Sequence, residues 1–308
     1  MPRCLSRELW MGLVALLLPA QETIFRTGVT LVKVDAAVTD HGGKAIPNLT
    51  REDFEIFDEG QPQKITYFEH ESEPLDLLLL LDVSGSMSRS LTELAAAALD
   101  ALRPLTERDR VAVMFFARTS AVRQPFTQYF SLVQEGLEQA VKRQDLGSGT
   151  AINAAIVAAA GYIGQEPVRG RRAILIVSDN LGLNYRVPDE EVVRALYAAD
   201  TTLDAIVIGK QGHPVQPRPG QSFNTDFTPA DVFKLAEQTG GEAIRSRHAG
   251  ESLQTMIERI RLRYRLEYPA PPAAPGQLRH IHVQLAGKAG SRHPRAEIRA
   301  RAGYYAIQ

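Results

Sequence analysis

The sequence predicts an α/β fold: a doubly wound, mainly parallel sheet flanked by a small β-sandwich that the N- and C-terminal segments build together. The central part of the chain alternates short apolar runs with amphipathic stretches of helical period, which is typical of parallel strands joined by helices. Residues 77–81 are five consecutive leucines and predict a strand buried on both faces. Both ends of the chain carry shorter segments of alternating polarity between turn residues, which favours antiparallel strands.

Composition limits the function classes. The chain has 308 residues, which is enough for about two domains. Its formal net charge is −1 and it contains no run of basic residues, so nucleic acid is not an expected partner.

The first 20 residues predict a secretory signal peptide. Arg3 and Arg7 precede an apolar run over residues 9–20, which is shorter than the roughly 20 residues that span a bilayer. Cleavage near Ala20 would leave a secreted or periplasmic protein with no membrane span, and an uncleaved anchor is the alternative. The single cysteine, Cys4, lies inside this leader, so the mature chain is expected to have no disulfide.

Residues 25–72 are predicted to be an N-terminal β segment. Residues 29–38 are rich in β-branched side chains and end at the turn Asp-His-Gly-Gly, which indicates a strand. Residues 54–57 and 64–68 flank a second turn and predict the two arms of a hairpin. A single helical turn is expected at residues 49–54.

Residues 75–263 are predicted to form the central α/β domain. Each predicted helix has apolar residues three or four positions apart, and breakers such as Pro104 or the Gly240-Gly241 pair mark its end. Pro125 makes its strand an edge strand. Strands are predicted at residues 77–82, 111–116, 121–126, 173–177, 203–209 and 242–246, and helices at residues 91–102, 130–141, 151–163, 188–199, 228–240 and 252–263.

A long loop, residues 210–227, follows one of the central strands. Loops of this length are usually functional or disordered. We expect this loop to line the rim of the sheet edge and to help select a partner, with Lys210, His213 and Arg218 meeting acidic groups.

Residues 264–308 are predicted to be a C-terminal β segment. Strands are expected at residues 264–268, 278–285 and 296–304, separated by a loop rich in proline and alanine and by a turn at residues 287–294. Neither terminal segment has enough strands for a stable sandwich alone. We therefore predict that residues 264–308 pair with residues 25–72, with the α/β domain inserted between them.

Oxygen-bearing side chains follow the predicted central strands. Asp82, Ser84 and Ser86 come directly after the leucine strand, Thr150 follows Gly-Ser-Gly before a helix, and Asp179 ends another buried strand. Taken singly, each of these residues is also typical of a turn or a helix N-cap. Together they lie at the carboxyl edge of one sheet, where open α/β sheets bind ligands. Two carboxylates and three hydroxyls are hard donors, so the sequence predicts a site for Mg2+ or a similar cation.

The motif Asp-x-Ser-x-Ser, with the later threonine and aspartate, resembles the metal-ion-dependent adhesion site of von Willebrand factor A domains. The resemblance covers roughly residues 76–263 and implies a Rossmann-like fold. It also implies a non-catalytic module that holds Mg2+, or else Mn2+ or Ca2+, and binds an Asp or Glu carboxylate of a partner protein. The residues it assigns to the metal are Asp82, Ser84, Ser86, Thr150 and Asp179. Asn180 replaces the usual glycine, and asparagine tolerates the left-handed backbone expected there.

The flanks resemble a narrower group, the secreted bacterial A-domain proteins first named from acidobacteria. The shared phrases are Val-Thr-Asp-x-x-Gly-Lys at residues 38–44, Leu-Thr-Arg-Glu-Asp-Phe-Glu-Ile-Phe-Asp-Glu-Gly at residues 49–60 and Ala-Gly-Tyr-Tyr-Ala at residues 302–306. This resemblance implies no established biochemical activity.

Two alternatives to a metal-dependent adhesion or assembly module stay open. In the first, the metal only stabilises the fold of a structural module. The second is a phosphatase of the haloacid dehalogenase type, with Asp82 as nucleophile. Such an enzyme needs an acid two residues later, where this chain has Ser84, and a hydroxyl of ordinary pKa cannot act as general acid.

Overall fold

The computed structural model describes residues 30–70, 73–140, 145–184, 187–209, 228–229 and 231–307. The helices in these ranges are α1 Ser88–Ala101, α2 Phe130–Ala140, α3 Ile152–Gln165, α4 Asp189–Ala198, α5 Val232–Thr239, α6 Ala249–Arg261 and α7 Gly287–Arg292. The strands are β1 Leu31–Thr39, β2 Phe54–Asp58, β3 Gln61–Gln63, β4 Tyr67–His70, β5 Leu75–Asp82, β6 Arg110–Phe116, β7 Ser120–Thr127, β8 Arg171–Ser178, β9 Leu183–Asn184, β10 Thr202–Ile208, β11 Thr228–Pro229, β12 Ala243–Ser246, β13 Tyr264–Pro269, β14 Leu278–Leu285, β15 Glu297–Arg299 and β16 Gly303–Tyr305.

The leucine strand β5 lies inside a six-stranded sheet of order β12-β10-β8-β5-β6-β7. All pairings in this sheet are parallel except that of the edge strand β7, which is antiparallel to β6. Every residue of β5 is buried. Leu77, Leu79 and Leu81 face one core, with α1, α2 and α6, whereas Leu78 and Leu80 face the other, with α3, α4 and α5. Residues 77–81 are all apolar because both faces of the strand are covered by helices. The predicted fold class, a doubly wound and mainly parallel sheet, is therefore confirmed.

Strands from both ends of the chain build two further sheets, of order β15-β1-β13-β4 and β16-β14-β2-β3. In the first, β1 runs antiparallel to β13, and in the second, β2 runs antiparallel to β14. The inner faces of the two sheets share one hydrophobic core, to which Val34, Ile56, Tyr264 and Val283 contribute. The N- and C-terminal segments therefore form a single sandwich beside the α/β domain.

Two local predictions in the sandwich are wrong. The partner of β2 in the hairpin is β3, not residues 64–68, because Glu59 (φ 49°) and Gly60 (φ 74°) make a tight two-residue turn that starts the return strand at once. Residues 67–70 form β4 instead, which pairs with β13 in the other sheet. The predicted strand 296–304 is in fact two strands in different sheets, since β15 pairs with β1 and β16 pairs with β14.

The predicted turn at residues 287–294 contains the short helix α7. The predicted leader, residues 1–20, and the predicted rim loop, residues 210–227, lie outside the described residues. Within the described ranges, no helix has both the length and the apolar character needed to cross a bilayer.

A buried ionic cluster holds the sandwich against the α/β domain where the chain passes between them. Asp35 on β1 lies directly opposite Arg265 on β13. The Nε atom of Arg265 is 2.9 Å from Asp35 Oδ1 and 3.3 Å from Glu73 Oε2, and its side chain is 2% exposed. On the same junction, the guanidinium of Arg171 donates hydrogen bonds of 2.8 Å to the carbonyl oxygens of Arg261 and Arg263. The end of α6, the start of β13 and the link before β5 are thereby fixed to one another.

Candidate metal centre

Asp82 ends β5 with its side chain on the α3 face of the sheet, because it lies two and four residues after Leu80 and Leu78. The carboxylate is fully buried. Its Oδ2 accepts a hydrogen bond from the Ser178 hydroxyl (2.7 Å), and its Oδ1 accepts one from the backbone N–H of Ser84 (2.9 Å). Burial raises the pKa of this carboxyl, the hydrogen bonds from Ser178 and Ser84 oppose the rise, and the charge of Asp179 adds to it.

No cationic side chain in the described ranges forms an ion pair with Asp82. A buried carboxylate without a counter-charge is costly, so the position favours the arrival of a cation.

Ser84 and Ser86 lie on the turn that follows Asp82. Ser84 has an extended backbone (φ −61°, ψ 158°), and a short 3-10 helix, Gly85–Met87, begins directly after it. The buried side chain of Met87 anchors this turn in the core. The two serine hydroxyl oxygens lie 3.2 Å apart, and Ser86 is exposed to solvent. The turn therefore presents two oxygen donors side by side at the edge of the sheet.

Thr150 is placed on the β6 side of β5. The backbone N–H of Ala151 donates to the carbonyl of Ala117 (2.8 Å), which ties the loop carrying Thr150 to the end of β6. Gly147 (φ 80°) and Gly149 (φ 105°) take the left-handed conformations that this loop needs and that glycine adopts without strain. Thr150 itself is 8% exposed.

Asp179 is placed on the β8 side of β5. Its Oδ1 accepts a hydrogen bond from the backbone N–H of Leu181 (3.1 Å). Asn180 has the left-handed backbone expected from the sequence, with φ 56°, and its N–H donates to the Ser178 hydroxyl (3.1 Å). Gly182, two residues after Asn180, packs so closely on the Thr150 loop that a Cβ atom there would lie 3.0 Å from the Thr150 carbonyl oxygen.

The loops before α3 and after β8 therefore meet beside Asp82. All five predicted residues lie at this one sheet edge, Asp82 with Ser84 and Ser86 on one turn and Thr150 and Asp179 on the loops to either side.

Sequence reasoning missed Ser178. Its hydroxyl donates to Asp82 and accepts from Asn180, so it holds the Asp82 carboxylate and the turn after Asp179 together. The available signal was a hydroxyl residue at the end of the strand next to β5, directly before a predicted ligand.

The donor set fits a hard divalent cation such as Mg2+, which takes carboxylate, hydroxyl and water oxygens. In the described part of the chain, no group of three or more His, Cys, Asp and Glu is arranged to hold a metal. A metal centre at this edge would therefore depend on the hydroxyls as well as on the two carboxylates.

The fold and the site define a doubly wound α/β domain with an oxygen-lined site at the carboxyl edge of its sheet. Among similar solved structures is BatB from Bacteroides thetaiotaomicron, with 18% identity over 60% of this chain and 97% of that chain and a TM-score of 0.44. Another is described as von Willebrand factor type A from Catenulispora acidiphila, with 13% identity over 90% of this chain and 75% of that chain and a TM-score of 0.44. A third is the vWF domain of the type V pili tip protein Mfa5 from Porphyromonas gingivalis, with 20% identity over 37% of this chain and 40% of that chain and a TM-score of 0.31.

No curated protein matches the sequence. Residues 77–182 match the family model of the von Willebrand factor type A domain. The match begins at the leucine strand and ends just after the Asp179 turn, so this stretch of the chain is similar to that domain.

Proposed function

We propose that the chain is a metal-dependent protein-binding module that acts in adhesion or assembly. The observation that carries the proposal is the buried Asp82 carboxylate, which lacks a cationic partner among the described residues and shares one sheet edge with a second acid, Asp179, and with three hydroxyl residues, Ser84, Ser86 and Thr150. Asp82, Asp179, Ser84, Ser86 and Thr150 would hold Mg2+, or else Mn2+ or Ca2+. The bound ion would supply a Lewis-acidic position open to an outside ligand.

Charge balance indicates the kind of ligand. Asp82 and Asp179 together neutralise a divalent cation, and Mg2+ keeps exchangeable waters that another oxygen ligand can displace. A carboxylate from an Asp or Glu of a partner protein is a hard oxygen donor of that kind. Solvent reaches the site through the exposed residues Gly85, Ser86 and Leu181, while Asp82 stays buried beneath them.

A binding role needs no catalytic group, and we propose none. Ser84 occupies the position where a phosphatase of the haloacid dehalogenase type needs an acid, and it donates its backbone N–H to Asp82. A protein that binds partners in this way would act outside the cytoplasm, as the basic and apolar N-terminal residues suggest.

The proposal is tested by capture from a periplasmic or extracellular extract on the immobilised full chain. We expect a protein to be retained in Mg2+, and to be lost in EDTA or with Asp82→Asn, because both changes remove the cation that its carboxylate binds. Asp100→Asn is the matched control and should retain the partner, because it changes an exposed carboxylate on α1 that pairs with Arg103. Equal capture by Asp82→Asn in the presence of EDTA would contradict the proposal. If Mg2+ raises the melting temperature of the wild type but no protein is retained, the metal serves stability alone.

A further inference from the structure

Arg118 is built into the same sheet edge as the candidate metal centre. It lies between two residues whose backbone groups hold the Thr150 loop: the carbonyl of Ala117 accepts from Ala151 (2.8 Å), and the N–H of Thr119 donates to Leu146 (3.1 Å). The side-chain stem of Arg118 covers Gly147, where a Cβ atom would lie 3.2 Å from the Cβ of Arg118. The arginine is therefore a fixed part of the loop structure that positions Thr150.

The register of the sheet places Arg118 at the same sheet edge as the metal ligands. Asp82 pairs with Phe116, the last residue of β6, and Arg118 lies in the short turn between Phe116 and Ser120, the first residue of β7. The backbone N–H of Val83 also donates to the carbonyl of Phe116 (2.9 Å), so this turn begins beside Asp82.

Arg118 differs from its neighbour Arg123 on β7 in having no counter-charge. Arg123 donates to both oxygens of Asp145 at 2.7 Å, whereas Arg118 is exposed and forms no ion pair with any carboxylate that the structure describes. A free cation next to a divalent metal repels it. The repulsion is offset when a third carboxylate joins the site, because two site aspartates and one ligand carboxylate leave a net charge of −1 around a divalent ion.

The other side of the site carries an apolar side chain. Leu181 is 57% exposed, although its N–H is fixed by the hydrogen bond to Asp179. A leucine held in solvent at the rim of a binding site gains free energy when a partner covers it. The site is thus bordered by a cation on the β6 side and by an apolar contact on the β8 side.

We propose that Arg118 and Leu181 select the protein partner. In this partner, the residue whose carboxylate binds the metal has a second acidic residue on one side, which pairs with Arg118. On its other side it has an apolar residue, which covers Leu181. This inference rests on the proposed function and adds the chemistry of the residues around the bound carboxylate.

The first test uses the metal alone. Arg118→Gln is expected to tighten Mg2+ binding about two- to five-fold in calorimetry, because a positive charge at the same sheet edge no longer repels the ion. Arg108→Gln is the matched control and should leave the Mg2+ affinity unchanged. Arg108 is also exposed, but it lies just before the first residue of β6, at the end of the strand away from Asp82. An unchanged Mg2+ affinity in Arg118→Gln would overturn the placement of this arginine beside the metal.

The second test uses a library of short peptides with a fixed central aspartate and random flanking residues, selected on the full-length wild type in Mg2+. We expect acidic residues to be enriched on one side of the aspartate and apolar residues on the other. Arg118→Glu should replace the acidic preference by a basic one, Leu181→Ser should remove the apolar preference, and Arg108→Glu should change neither. Mg2+-dependent selection without these shifts would overturn the inference but support the proposed function, whereas the absence of any Mg2+-dependent selection would overturn both.

Discussion

Replacing Arg265 by methionine is expected to lower the free energy of unfolding by about 3–5 kcal/mol at neutral pH, as when one partner of a buried ion pair is removed. The arginine side chain is 2% exposed, and the Asp35 and Glu73 carboxylates beside it are themselves largely buried, at 9% and 16%. Nε of Arg265 forms no directed hydrogen bond with Asp35 Oδ1, so the contact is ionic. Methionine fills much of the space but removes the cation beside Asp35 and leaves Glu73 with only the more distant Arg171, whose Nε is 3.9 Å from Glu73 Oε2. Urea unfolding of both proteins measures the loss.

A matched control and a pH series separate charge from packing. Arg51→Met removes an arginine from the exposed pair with Glu52 in the same sandwich and should cost less than about 1 kcal/mol. Burial raises the pKa of Glu73, and Arg265 opposes the rise. In Arg265→Met, an ionised Glu73 lowers the free energy of unfolding, and this loss is fully present above the folded-state pKa of Glu73. The difference in unfolding free energy between wild type and Arg265→Met should therefore become smaller as the pH falls through that pKa. A deficit as small as that of Arg51→Met, or one that does not narrow with acid, would contradict this account of the junction.

Replacing Asp58 by alanine is the second change with a large expected effect, again about 3–5 kcal/mol. This fully buried carboxylate accepts hydrogen bonds from the hydroxyls of Tyr268 (2.9 Å) and Tyr304 (2.8 Å) and from Nε of Arg279 (2.8 Å). Tyr268 belongs to one sheet of the sandwich, and the other three residues belong to the opposite sheet. Alanine would leave a charged donor and two buried hydroxyls without their acceptor, at the point where the two sheets are joined.

Thermal and urea unfolding of Asp58→Ala should be compared with Glu55→Ala, which removes an exposed carboxylate on the same strand that accepts a hydrogen bond from Gln284. The Glu55 variant should stay close to wild type. Asp58→Asn keeps one carbonyl acceptor, so its loss should lie between the two. A further consequence is spectroscopic: burial and then the hydrogen bond to Asp58 raise the pKa of Tyr304 to about 12, and removing Asp58 should lower it. If Asp58→Ala unfolds like Glu55→Ala, the hydrogen bonds to Asp58 do not hold the sheets together.

Much of the α/β domain could be predicted because local pattern and tertiary environment agree there. A strand covered on both faces must be apolar throughout, so the leucines before Asp82 indicated a central strand without further information. The carboxyl edge of a parallel sheet then gathers residues that are far apart in sequence, which is why Thr150 and Asp179 could be placed beside Asp82. The left-handed backbone at Asn180 followed from the tolerance of asparagine for that region.

The sandwich was harder to predict because its strands are short and their partners are distant in the chain. The pairing of Asp35 with Arg265 depends on the register between two segments that are 230 positions apart. The local sequence around each residue looks the same as that around a charged residue on a solvent-exposed strand face. The division of residues 296–304 between two sheets depends on where β1 and β14 end in space. The role of Ser178 was missed for a similar reason, since a serine before an aspartate looks like a turn until β8 is known to lie beside β5.

The central claim is that the carboxyl edge of the sheet holds a divalent cation through Asp82. The most direct measurement is calorimetric titration of Mg2+ into the metal-free wild type and into Asp82→Asn, with circular dichroism to confirm that both are folded. Asparagine keeps the shape and removes the buried charge. Its amide oxygen can still accept from the Ser84 N–H, whereas its NH2 group must donate to the Ser178 hydroxyl instead of accepting from it. The account predicts saturable binding of a single Mg2+ by the wild type and none by Asp82→Asn. Identical isotherms for the two folded proteins, or a wild type that binds no Mg2+, Mn2+ or Ca2+, would contradict it.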